Sequence, residues 1–220
     1  MQLSKTILQK CRGIIVWDFD RVLFDTERFY AGAKIIFKKY GVSHQLFWKA
    51  ILKIRREGDP FSLARMLRIL RAWNIVLPEK RIRQEVHRHL SLTDYFTCNG
   101  DVVLHRLRKL GFVHIVLNYG VPAYLRKRVQ CRLGGERFSR HFVKIIVTRR
   151  PKYLFLKKFC RRYPWLPLFF VDDAVSHIKL VKKYIPNIVT IHYTQGWSLE
   201  KVKQIILAAG RGKHGEIRQK

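Results

Sequence analysis

"GIIVWDFDRVLFDTERF", residues 13–29, is the stretch from which the rest of the chain can be read. Gly13 opens a β-branched and aromatic run, Ile14, Ile15, Val16 and Trp17, which is the pattern of a buried strand. Three of the chain's 15 acidic residues, Asp18, Asp20 and Asp25, follow at once, in a sequence that carries 45 lysines and arginines and a formal charge of +30. Carboxylates gathered at a buried strand end repel one another unless a cation lies among them.

Outward from that stretch the same apolar, β-branched signature recurs at Val113 to Leu117, Val143 to Val147, Leu168 to Val171 and Ile188 to His192. Helical patterns at Ala123 to Cys131, Lys152 to Arg162 and Ser176 to Tyr184 alternate with these strands. Alternation of this kind predicts an α/β fold, a doubly wound parallel sheet covered on both faces. Between the first strand and the second there is no strand signal. Ile35, Ile36 and Phe37 precede a Gly41 stop, and Leu63, Met66, Leu67 and Leu70 repeat at helical spacing between Pro60 and Pro78. The expected organisation is a core built from 1–26 and 98–220, with 27–97 as an inserted helical cap, and "GDVVLHRLRKLGF" as the helix that returns to the core. The tail "AAGRGKHGEIRQK" reads as mobile.

At 220 residues and 48% hydrophobic content, without repeats or low-complexity tracts, the chain can bury a substantial core. Apolar runs such as "PLFFV" fall far short of the ~20 residues a membrane span needs. Cys11, Cys98, Cys131 and Cys160 contain no CxxC pair, which suits free thiols in a reducing, cytoplasmic setting. The start, "MQLSKTILQKCRG", lacks a signal peptide's apolar centre and reads as a short amphipathic lead-in. The basic residues of "KAILKIRR", "PEKRIRQEVHRH" and "RRPKYLFLKKFCRR" are interleaved with apolar positions. Such a field attracts phosphates or RNA, and solvated helix faces give the same pattern, so the charge alone names no partner.

In open parallel sheets the active site forms where strands end at their carboxyl termini. Asp18 follows the first apolar run, and Asp172 with Asp173 follows "LFFV", so two strand ends deliver Asp18, Asp20, Asp172 and Asp173 to one sheet edge. Hard oxygen ligands without His or Cys beside them predict Mg²⁺ and not zinc. His114 and His192 lie inside apolar strand patterns and read as packed residues, and His177 is not expected to bind metal. Asp25 and Thr26 read as a helix N-cap, and Phe155 with Phe159 as a helix's core face.

"WDFDRVLFDT" with "LFFVDDAVSHI" resembles the first and fourth motifs of the haloacid dehalogenase (HAD) superfamily of phosphohydrolases, and the helical insertion stands where its C1-capped phosphatases carry their cap. The resemblance implies that Asp18 is the nucleophile, that Asp20 is the general acid and base with its carbonyl in the Mg²⁺ shell, and that Asp172 and Asp173 complete the metal site. The third-motif cation would be Lys152, with Arg150 as the alternative. At the second motif the family has Ser or Thr, whereas "VHIVLNYG" has Asn118 and Tyr119, whose amides would serve the phosphate instead. Arg21 stands where the family often has Gly, and either adds phosphate affinity or points to solvent. The implied activity is Mg²⁺-dependent hydrolysis of a small phosphorylated metabolite selected by the cap. The alternative is a HAD-like fold with weak chemistry, serving as a basic RNA- or ribonucleoprotein-binding module. Oligomeric state has no signature in the sequence.

Overall fold

The computed structural model describes residues 11–57, 61–97, 99–120, 132–133, 136–194 and 199–215. Five parallel strands, β1 (Gly13–Trp17), β2 (Phe112–Tyr119), β5 (Lys144–Thr148), β6 (Leu168–Asp172) and β7 (Val189–His192), form one sheet in the order β5-β2-β1-β6-β7. β1 and β6 are buried along their whole length. That is why their sequences are continuous apolar runs without alternation.

Helices cover both faces. Ile14, Val16, Ile115 and Phe170 pack with Leu156 and Phe159 of α6 (Lys152–Arg162) and with Ile178 and Val181 of α7 (Val175–Tyr184). Ile15, Trp17, Val116 and Val171 face the other way, toward Val103, Leu104 and Leu107 of α5 (Gly100–Lys109) and Val202 and Ile206 of α8 (Leu199–Gly215). At about 1.5–3 kcal/mol per buried large apolar side chain, these two layers supply most of the drive to fold. The doubly wound α/β prediction therefore holds.

The insertion is built from four helices among its described residues: α1 (Thr26–Lys39), α2 (His44–Arg56), α3 (Leu63–Ala72) and α4 (Glu79–Leu92). α1 buries Phe29, Ala33, Ile36 and Phe37, and α2 buries Phe47, Ala50, Ile51 and Ile54, each a single helical face. Ile35, in the same apolar run, is exposed. Ser43 and Ser62 cap α2 and α3 by accepting from the Leu46 and Arg65 amides, each at 3.2 Å. Gly41 (φ 80°) follows α1 and Gly111 (φ 86°) follows α5 in the left-handed conformation that glycine adopts without strain. The apolar cluster of the insertion is continuous with the one beneath the sheet.

The two connections of the insertion are stitched together. Phe24 and Phe96 form an antiparallel bridge, the Asp25 amide donates to Tyr95 O at 2.7 Å, and the Thr97 amide and hydroxyl donate to Leu23 O and Val22 O at 3.2 and 3.0 Å.

Several boundaries differ from the sequence reading. β2 runs one residue earlier and two later, β5 is shifted by one, and α1 starts at Thr26, inside the segment assigned to the core. A two-residue antiparallel pair, β3 (Arg132–Leu133) with β4 (Glu136–Arg137), and a 3₁₀ turn, Phe138–His141, were not anticipated. The tail read as mobile is helical as far as Gly215, because α8 docks by Leu199, Val202 and Ile206. The helix predicted over 123–131 and the amphipathic lead-in over 1–10 lie outside the described residues. Among the described residues, Cys11 and Cys160 are free thiols, and no helix is long and apolar enough to cross a membrane.

Candidate active site

The strand order reverses between β1 and β6, and the crevice at such a switch point is where open α/β sheets bind ligands. The Asp18 amide donates to Val171 O at 2.8 Å, so the carboxyl ends of the two strands lie side by side. Asp18 leaves β1 and Asp172 closes β6. Lys152 opens α6 behind Pro151 and brings its ammonium to both, 2.6 Å from Asp18 Oδ1 and 2.7 Å from Asp172 Oδ2. All three side chains are almost wholly excluded from water. One carboxylate oxygen each from Asp18, Asp172 and Asp173 falls within 4.8 Å of the others.

The electrostatics of this group are lopsided. Burial pushes the Asp18 carboxyl well above the usual carboxylate range, and Asp172 and Asp20 push the same way, against the pull of Lys152. Asp173 is raised by burial and by Asp172. Burial also works against ionisation of Asp172, yet Lys152 and His177 together hold it below its ordinary value. For Lys152, burial disfavours the charge, but Asp18 and Asp172 outweigh it and the pKa is raised. One buried ammonium thus serves a group of three carboxylates. Asp18 Oδ1 meets it at ion-pair distance without hydrogen-bond alignment and has no other hydrogen-bond partner. One ammonium among three converging carboxylates leaves an under-neutralised cluster of hard oxygen donors, and such a cluster fits a divalent cation of the Mg²⁺ type.

Asp20, expected among the metal-site residues, has its side chain outside that group of three. The chain turns at Asp20 to Phe24, and Asp20 Oδ1 accepts from the Thr26 hydroxyl at 2.9 Å, which itself accepts from the Arg21 amide at 3.2 Å. Thr26, read only as part of a helix cap, therefore anchors Asp20. Asp25 is the cap, accepting from the Arg28 amide at 2.9 Å.

Asn118 is buried near the end of β2. A side chain at Gly120 would press to 3.1 Å from the Asn118 amide nitrogen, so a residue without one keeps that amide in place. Tyr119 is the last residue of β2 and its side chain is exposed. Arg150 is exposed in the turn before α6, its amide donating to Thr148 Oγ1 at 2.9 Å, so Lys152 is the cation that meets the acids.

Two histidines belong to the site's surroundings. His177 Nδ1, from the first turn of α7, lies 3.2 and 3.1 Å from the two carboxylate oxygens of Asp172, a placement the sequence reading did not assign. A polar residue in the first turn after an acid-bearing strand is the signal that would have found it. His192 Nε2 donates to Asp173 O at 3.0 Å. His114 is packed as expected, buried between the Trp17 indole, which donates to its Nδ1 at 3.1 Å, and Leu104 O.

Arg21 adopts φ 61°, the left-handed region. For an L-residue other than glycine this costs about 1–2 kcal/mol. Its Nε and Nη2 donate to Glu27 Oε1 at 3.1 and 2.9 Å, and its Nη1 lies 3.7 Å from Asp173 Oδ2. Arg21 and Glu27 are both half exposed, and exposed pairs contribute only ~0.2–1 kcal/mol.

The magnesium-bound HAD-hydrolase YfnB of Bacillus subtilis superposes with a TM-score of 0.60 at 15% identity, covering 89% of this chain and 99% of that one. The chain has the HAD-like fold. A HAD family enzyme of Bacteroides thetaiotaomicron in a magnesium complex shares that fold at 18% identity and a TM-score of 0.57, covering 88% of this chain and 98% of the other. The L-2-haloacid dehalogenase RSc1362 shares it at 16% identity and 0.61, covering 89% and 98%. No protein-family model and no curated protein matches the sequence. Within the HAD-like fold of this chain, Asp18 and Asp172 stand at the switch point of the sheet, with Lys152 between them.

Proposed function

We propose that this protein is a Mg²⁺-dependent phosphohydrolase that acts on a small phosphorylated metabolite through an aspartyl-phosphate intermediate. The observation that carries the reading is the buried Lys152, bridging Asp18 and Asp172 beside Asp173, with Asp20 held separately by Thr26. The carboxylates of Asp18, Asp172 and Asp173, with the Asp20 carbonyl, would hold Mg²⁺, which when bound supplies charge neutralisation for an anionic nucleophile meeting an anionic phosphate.

Asp18 attacks phosphorus, a P–O bond to the Asp18 carboxylate forms, and the bond to the ester oxygen breaks. Asp20 gives its proton to that departing oxygen. Water then attacks the same phosphorus, the bond to Asp18 breaks, Asp20 takes the water's proton, and inorganic phosphate leaves. Lys152 favours the ionised form of Asp18 against its burial, and Asn118 with the Tyr119 amide faces the transferring phosphoryl oxygens. The helices of the insertion act as the cap that selects the substrate. The free thiols agree with a reducing, cytoplasmic setting.

Dehalogenation, the activity named for RSc1362, expels a halide that needs no proton, so it would use no acid at Asp20 in the first step, whereas an ester oxygen leaving from phosphorus does. Turnover of 4-nitrophenyl phosphate with MgCl₂, abolished by EDTA and by Asp18→Asn, is the expected result. Activity that survives Asp18→Asn unchanged, or release of halide from 2-chloropropionate without phosphatase activity, rejects the reading.

One groove favours a second role, RNA binding. At the amino ends of β6 and β7, opposite the acids, a cavity of about 570 Å³ is lined by Lys157, Arg161, Tyr163, Trp165 and Tyr184, with Trp165 66% exposed and no acid in the lining. Bases beside an open indole suit a single strand whose phosphates and bases are both engaged. Fluorescence anisotropy with labelled oligouridylate should show binding that weakens steeply with salt and with Trp165→Ala. No binding at low ionic strength eliminates this role.

A further inference from the structure

We infer that Arg21 is a specificity-determining residue, selecting phosphate monoesters that carry a second anionic group. The inference rests on the phosphohydrolase reading above and names the substrate class of that site.

The backbone at Arg21 is left-handed, in a turn where the Arg21 amide donates to Phe24 O at 2.8 Å. Glycine would adopt that conformation without strain, whereas arginine is strained there, and the half-exposed pair with Glu27 is too weak to offset the cost. Stability alone therefore does not account for a long cationic side chain at this position, directly after Asp20.

Its placement supplies the account. Nη1 lies 3.7 Å from Asp173 Oδ2, and Asp173 is one of the three carboxylates converging within 4.8 Å, so the guanidinium borders the place where the phosphate is to be held. Glu27 accepts both Nε and Nη2 of Arg21 through a single oxygen, Oε1, and fixes the plane of the fork. Arg55 of α2 approaches the same oxygen at 3.8 Å, with its guanidinium 5.8 Å from the centroid of the Tyr30 ring. Arg21 and Arg55 thus meet on Glu27 at the rim between the core turn and the inserted helices, and both guanidiniums stay half exposed there, with donors left for a further acceptor. The group this rim accepts is an oxyanion, carboxylate or phosphate, a few bonds from the phosphoryl group being transferred.

The test uses three esters that differ only at the far end: ethyl phosphate, 2-phosphoglycolate and ethane-1,2-diol bisphosphate. The wild-type protein with MgCl₂ should favour one or both anionic esters over ethyl phosphate by roughly tenfold or more in kcat/KM, chiefly through KM, and the two arms separate a carboxylate from a phosphate partner. Arg21→Gly suits the backbone, so it should fold, and it should lose at least about fivefold more on the preferred ester than on ethyl phosphate. In an Asp18→Asn background, calorimetry should show the same preference in Kd and its loss on Arg21→Gly. Equal treatment of the three esters by the wild type, or an equal loss on all of them in Arg21→Gly, overturns the inference and leaves the phosphohydrolase reading intact. Failure to hydrolyse any phosphate ester overturns both.

Discussion

At the carboxyl edge of the sheet, Asp18, Lys152 and Asp172 are buried as charges, separated by 2.6 and 2.7 Å. Inside the insertion Phe37, Phe47, Met66 and Leu70 are equally buried as apolar groups, the rings of Phe37 and Phe47 meeting edge to face at 5.6 Å. Apolar burial stabilises directly, whereas buried charges must first recover their lost hydration. The sheet edge thus gathers charge at a cost in stability, whereas the insertion's apolar interior adds stability directly.

The largest test of that contrast is Asp18→Asn. On the phosphohydrolase reading, activity should fall at least about a thousandfold. Yet Asp18 is raised well above its ordinary pKa by burial and by Asp172 and Asp20, so in the absence of metal its charged form opposes folding at neutral pH. The variant should therefore melt at a higher temperature than the wild type in EDTA. A lower melting temperature would show that the edge stabilises the fold after all.

Phe47→Ala is the counterpart. It should lower stability by about 3–5 kcal/mol in urea unfolding while leaving turnover per folded molecule unchanged. A loss of turnover without a loss of stability would break the division between the two regions.

Asn118 lies between the extremes, buried and polar at the end of β2. Asn118→Ala should reduce kcat by roughly ten- to a hundredfold with a small change in melting temperature.

An effect that appears only on acidification belongs to His114, whose pKa is pushed down to about 3, first by burial and further by Arg108 and His141. The folded chain refuses a proton that the unfolded chain accepts below about 6.5, so stability is lost as pH falls from 6.5 toward 3, by up to about 1.4 kcal/mol per pH unit. His114→Gln should flatten that part of the profile, measured as urea midpoints between pH 7 and pH 5.

Features that stand at the end of a regular element could be read before the structure was known. β1 and α6 have the limits their patterns predict, since Gly13 and Pro151 mark where an apolar strand and a helix begin. Asp18, Asp172 and Lys152 come together because each is the residue at which such an element starts or stops. Arg150, two positions earlier, lies in a turn and misses the acids. What depended on irregular backbone was not legible. The bond from Thr26 to Asp20, the left-handed Arg21 and the separation of Asp20 from the other carboxylates all follow from one turn, whose course no periodicity records. His177 meets Asp172 through a first-turn placement that an apolar pattern does not reveal either.

Thr26 is at once the first residue of α1 and the hydroxyl that holds Asp20, and the bridge from Phe24 to Phe96 ties the two connections of the insertion together. Asp20 is therefore joined to the first inserted helix by a linkage only one hydrogen bond long. The base of the insertion and the turn that carries Asp20 are thus one piece of structure, joined by a bond that exchange of hydroxyl for methyl in Thr26→Val would remove.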